Sequence, residues 1–506
     1  MAKNSFTIYS IIKRNAERYC DSIGWIHGEK KVTHGFFKKC VDRLAYGLTN
    51  LGIVKGDRIC VIDQNSLEYT HIYGAAAKIG AVVLPINWRL KQQEIEFLIS
   101  DCRPKILFFG FELQELIESI KPKFGFIRKF ISLGFVREEF IPICDLMVKG
   151  SEKENIDCEV EPDDDYVIIH TAAVDGKPRG AVLTQGNFIA ANIQSMYEWK
   201  LVPKDCNLCM LPMFHMMGLI ILKSVMHAGG CNVIMPKFKI DTALELIEEH
   251  KVSIFAEFPP MLATMLEKNR KKQTNISSVR IIIGLDSEET ILEYEKISGG
   301  KFWVCYGQTE TTGIVTYGIY NSRSLNSGKA GIISEIAIMD ENGSILKEDQ
   351  EGEIIVRGPL MFKGYRNLKN ETEYVSRDGW HHTGDIGKID RDGYLFFNGR
   401  KQEKDLIKSG GENVYPIEVE KVILEHPLVE DVCVIGVADV RWGEAVKAVC
   451  VLKKEAKDTK INLAEFVKDK IAAYKKPQYV SFVDELPKNQ KGDIDREAVK
   501  VAYSQD

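Results

Sequence analysis

Short β-branched runs alternate with amphipathic helical stretches along most of the chain, and this rhythm restricts the fold more than any other feature. "RICVID" (58–63), "AVVLPI" (81–86), "KILFF" (105–109), "YVIIH" (166–170), "VSIFAEF" (252–258) and "KFWVC" (301–305) read as strands. Between them lie segments such as "DTALELIEEHK" (241–251), where Leu244 and Ile247 share one apolar stripe and Asp241 is expected as the N-cap. Strands separated by helices predict α/β layering with largely parallel sheets. A chain of 506 residues also exceeds what one hydrophobic core supports, so two or more domains are expected.

The rhythm changes twice. Over 315–400, "GEIIVRG", "GKID" and "GYLFFNG" are short strands punctuated by Gly, Asp and Asn, which predicts a small antiparallel barrel or meander. The charged run "RKQEKD" then reads as a linker, and a new unit follows. It has "EDVCVIGVAD", "EAVKAVCVLKK" and "YVSFV" as strands and "NLAEFVKDKIAAY" as a helix. The expected organisation is an N-terminal domain over 1–400, a hinge at 401–405 and an α+β domain over 406–506.

Lys and Arg total 67 against 72 Asp and Glu, a net charge of −5, which gives no electrostatic reason to expect nucleic acid or an anionic membrane as partner. No apolar run approaches the ~20 residues of a transmembrane segment. "MAKNSFTIYSIIKRNAERY" carries charge throughout and lacks a signal-peptide core. The 12 scattered cysteines suit reduced thiols, so a cytoplasmic location is expected. Cys206 and Cys209 have C-x-x-C spacing without a second pair to complete a zinc site, and are expected as half-buried strand residues.

Polar motifs fall at strand ends and in Gly-rich turns, where α/β proteins place ligands. "YGQTE" (306–310) offers an aromatic face at Tyr306, a tight turn at Gly307, a hydroxyl at Thr309 and a carboxylate at Glu310. A nucleotide would use these for stacking, close backbone approach, phosphate contact and Mg²⁺ ligation. Asp385 in "GWHHTGDIG" can accept both hydroxyls of a ribose, and Arg400 follows in "NGR". "IKSGGENVYPIEVE" (407–420) is a Gly-Gly turn with Pro416 as an expected first helical residue. Upstream, "IIHTAAVDGKPRGAVLTQGN" (168–187) has the outline of a phosphate loop: an apolar strand, a turn of small residues, then "GKPRG" leading to a helix. Singly, each motif is also what an ordinary turn or cap looks like.

Together and in this order, the motifs resemble the adenylate-forming enzymes: acyl-CoA synthetases, luciferases and the adenylation domains of peptide synthetases. The resemblance covers nearly the whole chain, through "PINWRL" (85–90), the loop at 171–180, "PMFHMMG" (212–218), "YGQTE", "GEIIVRGPLMFKGY" (352–365), "GWHHTGDIG", "GGENVYPIEVE" (410–420) and "YKKPQYVSFVDELPK" (474–488). It implies a large N-terminal domain of two α/β subdomains plus a small β part, and a small mobile C-terminal domain. One domain orientation makes an acyl-AMP and pyrophosphate; the other brings CoA to the acyl-AMP. Carried onto this sequence, Thr171, Asp175, Gly176 and Lys177 belong to the phosphate loop. Gly284, Tyr306, Gly307 and Gln308 lie around the adenine, Thr309 contacts phosphate and Glu310 binds Mg²⁺. Asp385 and Arg400 hold the ribose, His215 walls the acyl pocket from the thiol tunnel, and Gly410, Gly411 and Glu412 face the incoming thiol. "PMFHMMGLIIL" (212–222) resembles CoA ligases rather than amino-acid adenylation domains, and its Met and Leu residues suit an uncharged apolar tail.

Three departures from the family pattern all touch adenylation. Ala172, Ala173, Val174 and Asp175 stand where the phosphate loop resembles hydroxyls and glycine. A carboxylate ~4 Å from a phosphate charge costs roughly 4 kcal/mol at an effective dielectric near 20, unless a metal or Lys177 offsets it. Asp493 in "PKNQKGDID" (487–495) stands at the family's last lysine, leaving Lys491 or Lys488 as the substitute cation. The hinge pattern is lengthened in "GRKQEKD", with Gln402 or Lys404 as the pivot. The expected activity is an ATP-dependent acyl-CoA synthetase that uses Mg²⁺, CoA and a hydrophobic carboxylic acid, with weakened adenylation. Two alternatives stay open: an enzyme of the acyl-AMP or acyl-CoA half-reaction, and a non-catalytic acyl-CoA or nucleotide binder. A homodimer is also left open.

Overall fold

The structure is a computed structural model and describes residues 6–149, 156, 158–171, 178–320, 326–401, 406–453, 461–489 and 492–504. Among these residues, the β-branched runs assemble into two large sheets. The nine-stranded sheet runs in space Lys329–Ala330, Gly313–Ile319, Lys301–Gln308, Ile281–Ile283, Ile254–Ala256, Cys206–Cys209, Cys231–Ile234, Ile23–His27, Lys30–Thr33. Its interior is parallel, from Lys301–Gln308 across to Ile23–His27, and only the edges are antiparallel. The eight-stranded sheet likewise has parallel neighbours at Val82–Ile86, Arg58–Ile62, Ile106–Gly110 and Lys129–Leu133. Strands buried on both faces read as continuous aliphatic runs, which is why Ile59, Cys60, Val61 and Ile62 are all fully covered.

The helix Met216–Ala228 is mostly apolar and buried over nearly its whole length, as a helix packed within a core must be. Its residues Leu219, Ile220 and Leu222 share one core with Tyr73, Val167 and Phe188 from the eight-stranded half. Lys223 lies inside this core. Its Nζ donates to the Tyr166 hydroxyl at 2.6 Å and sits 4.7 Å from the Tyr73 ring, and burial pushes the ammonium down to about 7.

The expected antiparallel part is present as an open, branched sheet rather than a barrel. Glu335–Met339, Gly352–Arg357, Trp380–Ile389 and Ser376–Arg377 follow in order, and Leu395–Arg400 also pairs with Trp380–Ile389. The C-terminal α+β unit has a five-stranded sheet among its described residues, with the helices Pro416–Leu424, Leu463–Lys470 and Arg496–Tyr503. Ile407, Val414, Val419, Val434 and Val446 form its core. Pro416 is the first helical residue, as its fixed φ favours. No helix among the described residues is long and apolar enough to cross a membrane.

Two local expectations change. The helix expected to be capped by Asp241 spans Ile240–His250 with Lys239 at the N-cap, so Asp241 lies in the first turn. There its charge still complements the positive end of the helix dipole, and it also pairs with Lys268 at 3.2 Å. Cys206 and Cys209 are fully rather than half buried, because their strand is interior to the sheet.

Asp63 follows the strand Arg58–Ile62 and accepts from the Gln64 N–H at 2.8 Å and the Ser66 hydroxyl at 3.2 Å. Burial outweighs these bonds and raises its carboxyl to about 7. The folded state therefore keeps a proton that the unfolded chain loses from the ordinary carboxylate range upward. Stability should fall between pH ~4 and ~7, by about 2–4 kcal/mol in all for this one group. Asp63→Asn is expected to flatten that part of the pH profile of urea unfolding and to stabilise the protein at pH 8; an unchanged slope would contradict this.

Candidate active site

Four neighbouring parallel strands, Cys206–Cys209, Ile254–Ala256, Ile281–Ile283 and Lys301–Gln308, end along one edge. The chain leaving them carries His215, Glu257, Gly284 and Glu310 in turn. The carboxyl edge of parallel strands is where open α/β sheets bind ligands.

"YGQTE" is not a strand followed by a tight glycine turn. The strand Lys301–Gln308 continues through Tyr306, Gly307 and Gln308, paired with Gly313–Ile319 across an irregularity between Tyr306 and Gly307. A Cβ on Gly307 would lie 1.8 Å from the Gly313 carbonyl oxygen, so glycine is required by the closeness of the partner strand. The turn comes after it, closed by the Thr312 N–H donating to the Thr309 carbonyl at 3.0 Å, with Thr312 in the left-handed region at φ 49°.

Glu310 is only 8% exposed, and its Oε1 accepts from the Thr171 hydroxyl at 3.0 Å and the Tyr365 phenol at 2.8 Å. Thr171 is the last residue of the strand Asp165–Thr171, so the carboxylate stands at the entrance of the expected phosphate loop. Nearby, the Asp385 carboxylate gathers three of the other expected residues. Oδ2 accepts from the Tyr306 hydroxyl at 2.7 Å and the Gln308 Nε2 at 2.8 Å, and Oδ1 lies 3.3 Å from the Arg400 Nε. Cross-strand pairing of Asp385 with Arg400 fixes that ion pair. The Tyr306 ring packs with Val315, Ile338, Val356 and Leu395 and is 8% exposed.

A third group joins the C-terminal unit to this edge. Gly410 and Gly411, both with positive φ (57° and 82°), turn the hairpin between Ile407–Ser409 and Glu412–Val414. A Cβ on Gly411 would lie 2.5 Å from the Phe258 ring, so the turn is pressed against the N-terminal part. Glu412 pairs with Arg89, whose guanidinium lies 5.5 Å from the Phe214 ring and 5.6 Å from the Tyr474 ring. His215 caps the helix Met216–Ala228 through Nδ1, which accepts from the Met217 N–H at 3.3 Å. Burial lowers its imidazole; Lys408 and Arg89 add to that and Glu412 opposes it. A second latch is buried beside the first: Lys475 lies 2.7 Å from Glu94 and 2.8 Å from Glu418.

The expected residues thus fall into a Glu310–Thr171 group, an Asp385–Tyr306–Gln308–Arg400 group and a Glu412–His215 group. Gly284 lies at the same edge, against Glu257. Asp175, Gly176, Lys177 and Lys491, like the hinge residues 402–405, lie outside the described residues. Asp493 is exposed in a turn, with its N–H donating to Asn489 Oδ1 at 3.1 Å. Tyr365 and Arg89 lie in "GEIIVRGPLMFKGY" and "PINWRL", but their partners are too distant in sequence to suggest their contacts. Glu257 gave no sequence signal beyond a carboxylate at the end of an aliphatic strand.

Solved structures share this architecture. A double mutant of o-succinylbenzoate CoA synthetase from Bacillus subtilis, bound with its product analogue, is 27% identical with a TM-score of 0.84, covering 97% of this chain and 98% of that one. Among curated proteins, indoleacetate–CoA ligase of Aromatoleum aromaticum is 31% identical over 93% of both chains. The long-chain-fatty-acid–CoA ligase of Mycobacterium tuberculosis is 30% identical over 94% of this chain and 93% of its own length. Residues 12–366 match the model of the AMP-binding enzyme family and residues 418–493 that of the AMP-binding enzyme C-terminal domain. The chain belongs to the AMP-binding enzyme family, within the AMP-forming acid–thiol ligases, a class that works with ATP, Mg²⁺ and CoA.

Proposed function

We propose that the chain joins a hydrophobic carboxylic acid to CoA through an acyl-adenylate, with adenylation slow relative to thiol transfer. The observation that carries this reading is the Glu310 carboxylate, buried and held by Thr171 and Tyr365 at the start of the phosphate loop. Mg²⁺ takes one or two protein carboxylates and completes its shell from phosphates and water, so a single oriented carboxylate beside that loop fits it. When bound, the ion neutralises charge on the phosphates. Asp385 and Arg400 orient the ribose, and Tyr306 and Gln308 hold the Asp385 carboxylate in place. Half-buried His215, kept neutral by burial, separates the acid from the thiol.

The chain pivots at 401–405 between 1–400 and 406–506. Contact of Gly411 with Phe258, and of Glu412 with Arg89, supports reading this as the thiol-transfer orientation. Phe214, Met216 and Met217 beside His215 support an apolar substrate. The weakened step rests on Asp493, an exposed acid where the family's last lysine is expected. That placement also favours the second reading, an enzyme working from the acyl-AMP side. Incubating the protein with ATP, Mg²⁺, CoA and a panel of aliphatic and aryl acids tests the proposal. Acyl-CoA and AMP in equal amounts are expected from at least one acid; neither product from any acid, together with no AMP binding, would overturn it.

A further inference from the structure

Glu257 follows the strand Ile254–Ala256 and precedes the helix Met261–Lys272. It is 0% exposed, and neither carboxyl oxygen has a hydrogen-bond partner of normal geometry among the described residues. Its N–H donates to the Ile283 carbonyl at 3.0 Å, which sets the residue against Gly284. A Cβ on Gly284 would lie 2.7 Å from Glu257 Oε1 and 2.4 Å from its carbonyl oxygen, so glycine there leaves room for this acid. Asp286, two residues beyond, also has a buried unpartnered oxygen, Oδ2. Burial, reinforced by Asp286, raises the Glu257 carboxyl well above its ordinary range and outweighs the opposing pull of the Leu262 N–H.

A buried carboxyl so poorly partnered is destabilising. Its position suggests what satisfies it. In the sheet, its strand lies between the strand that leads to His215 and the one that ends at Gly284. The next residue, Phe258, carries the contact with Gly411 on the thiol side. Glu257 therefore sits within the ligand edge, between the expected wall of the acid pocket and the expected adenine turn. Protonated or not, its free oxygens accept hydrogen bonds.

Resting on the ligase reading above, we infer that Glu257 is the polar anchor of the acid pocket, and that the acid carries an N–H or O–H donor remote from its carboxylate. The substrate class is thus an apolar, aryl-type acid with one buried polar donor, not a plain hydrocarbon acid. An adenine amino group is the other source of the same N–H chemistry.

The test compares matched acids that differ only in the donor: indole-3-acetate with benzothiophene-3-acetate, and 4-hydroxyphenylacetate with phenylacetate. The full-length wild type, Glu257→Gln and Glu257→Leu are assayed with ATP, Mg²⁺ and CoA. In at least one pair, the wild type should favour the donor-bearing acid in kcat/KM by roughly 100-fold or more, as sites built around a substrate hydrogen bond do. Glu257→Gln keeps an acceptor and should keep most of the preference; Glu257→Leu should remove it and leave the KM for ATP unchanged. Turnover of both members of each pair without preference overturns the inference, and needs no variant to be folded. A raised ATP KM in Glu257→Leu with the acid preference intact also overturns it, assigning the carboxyl to the nucleotide. No turnover of any acid overturns the ligase reading along with it, a failure distinct from turnover without preference.

Discussion

Glu310→Gln is expected to lower acyl-CoA formation from acid and ATP by on the order of 10²–10³, the usual cost of losing one preorganised charge at the reacting group. Glutamine keeps an oxygen that accepts from Thr171 and Tyr365, so the local packing and the thermal midpoint should change little. It removes the negative charge proposed to hold Mg²⁺. The variant should therefore need more Mg²⁺ for half-maximal rate, and should still turn a synthetic acyl-adenylate and CoA into acyl-CoA at near the wild-type rate. Stopped-time assays of the two half-reactions separate these effects. An equal loss in both would show that Glu310 acts through structure and not through the metal-bound phosphates.

Asp493→Lys should act in the opposite direction. Asp493 lies in an exposed turn between Asn489 and Ile494, so the substitution should shift stability by no more than about 0.5 kcal/mol. If the acid there limits adenylation, restoring a cation should raise pyrophosphate release from acid and ATP by roughly 10–100-fold, within the range one oriented charge supplies. Thiol transfer from preformed adenylate should be unchanged. A loss of adenylation in the variant would instead show that Asp493 has its own part in this chain's chemistry.

The sequence revealed what depends on local spacing. Strand and helix periods announced the parallel sheets, and Pro416 announced a helix start. It misread Gly307 because the reason for that glycine is Gly313 on the partner strand, not a turn of its own. It placed a cap at Asp241, two residues past the observed cap, Lys239. The candidate residues sit in separate motifs, and the contacts that join them cross long stretches of chain. Thr171 and Glu310 are 139 residues apart, and Arg89 and Glu412 are 323 apart. No spacing rule reaches that far, so Arg89, Tyr365 and Glu257 became visible only once the chain was folded.

On the proposed function, this ligase transfers an acyl group from adenylate to thiol more readily than it makes the adenylate. Single-turnover formation of acyl-CoA, started in parallel from a synthetic acyl-adenylate with CoA and from the matching acid with ATP, Mg²⁺ and CoA, tests it most directly. Acyl-CoA is expected from both, with the adenylate-started reaction at least ~10-fold faster. Equal rates would contradict the weakened adenylation, and no acyl-CoA from either start would contradict the ligase function itself.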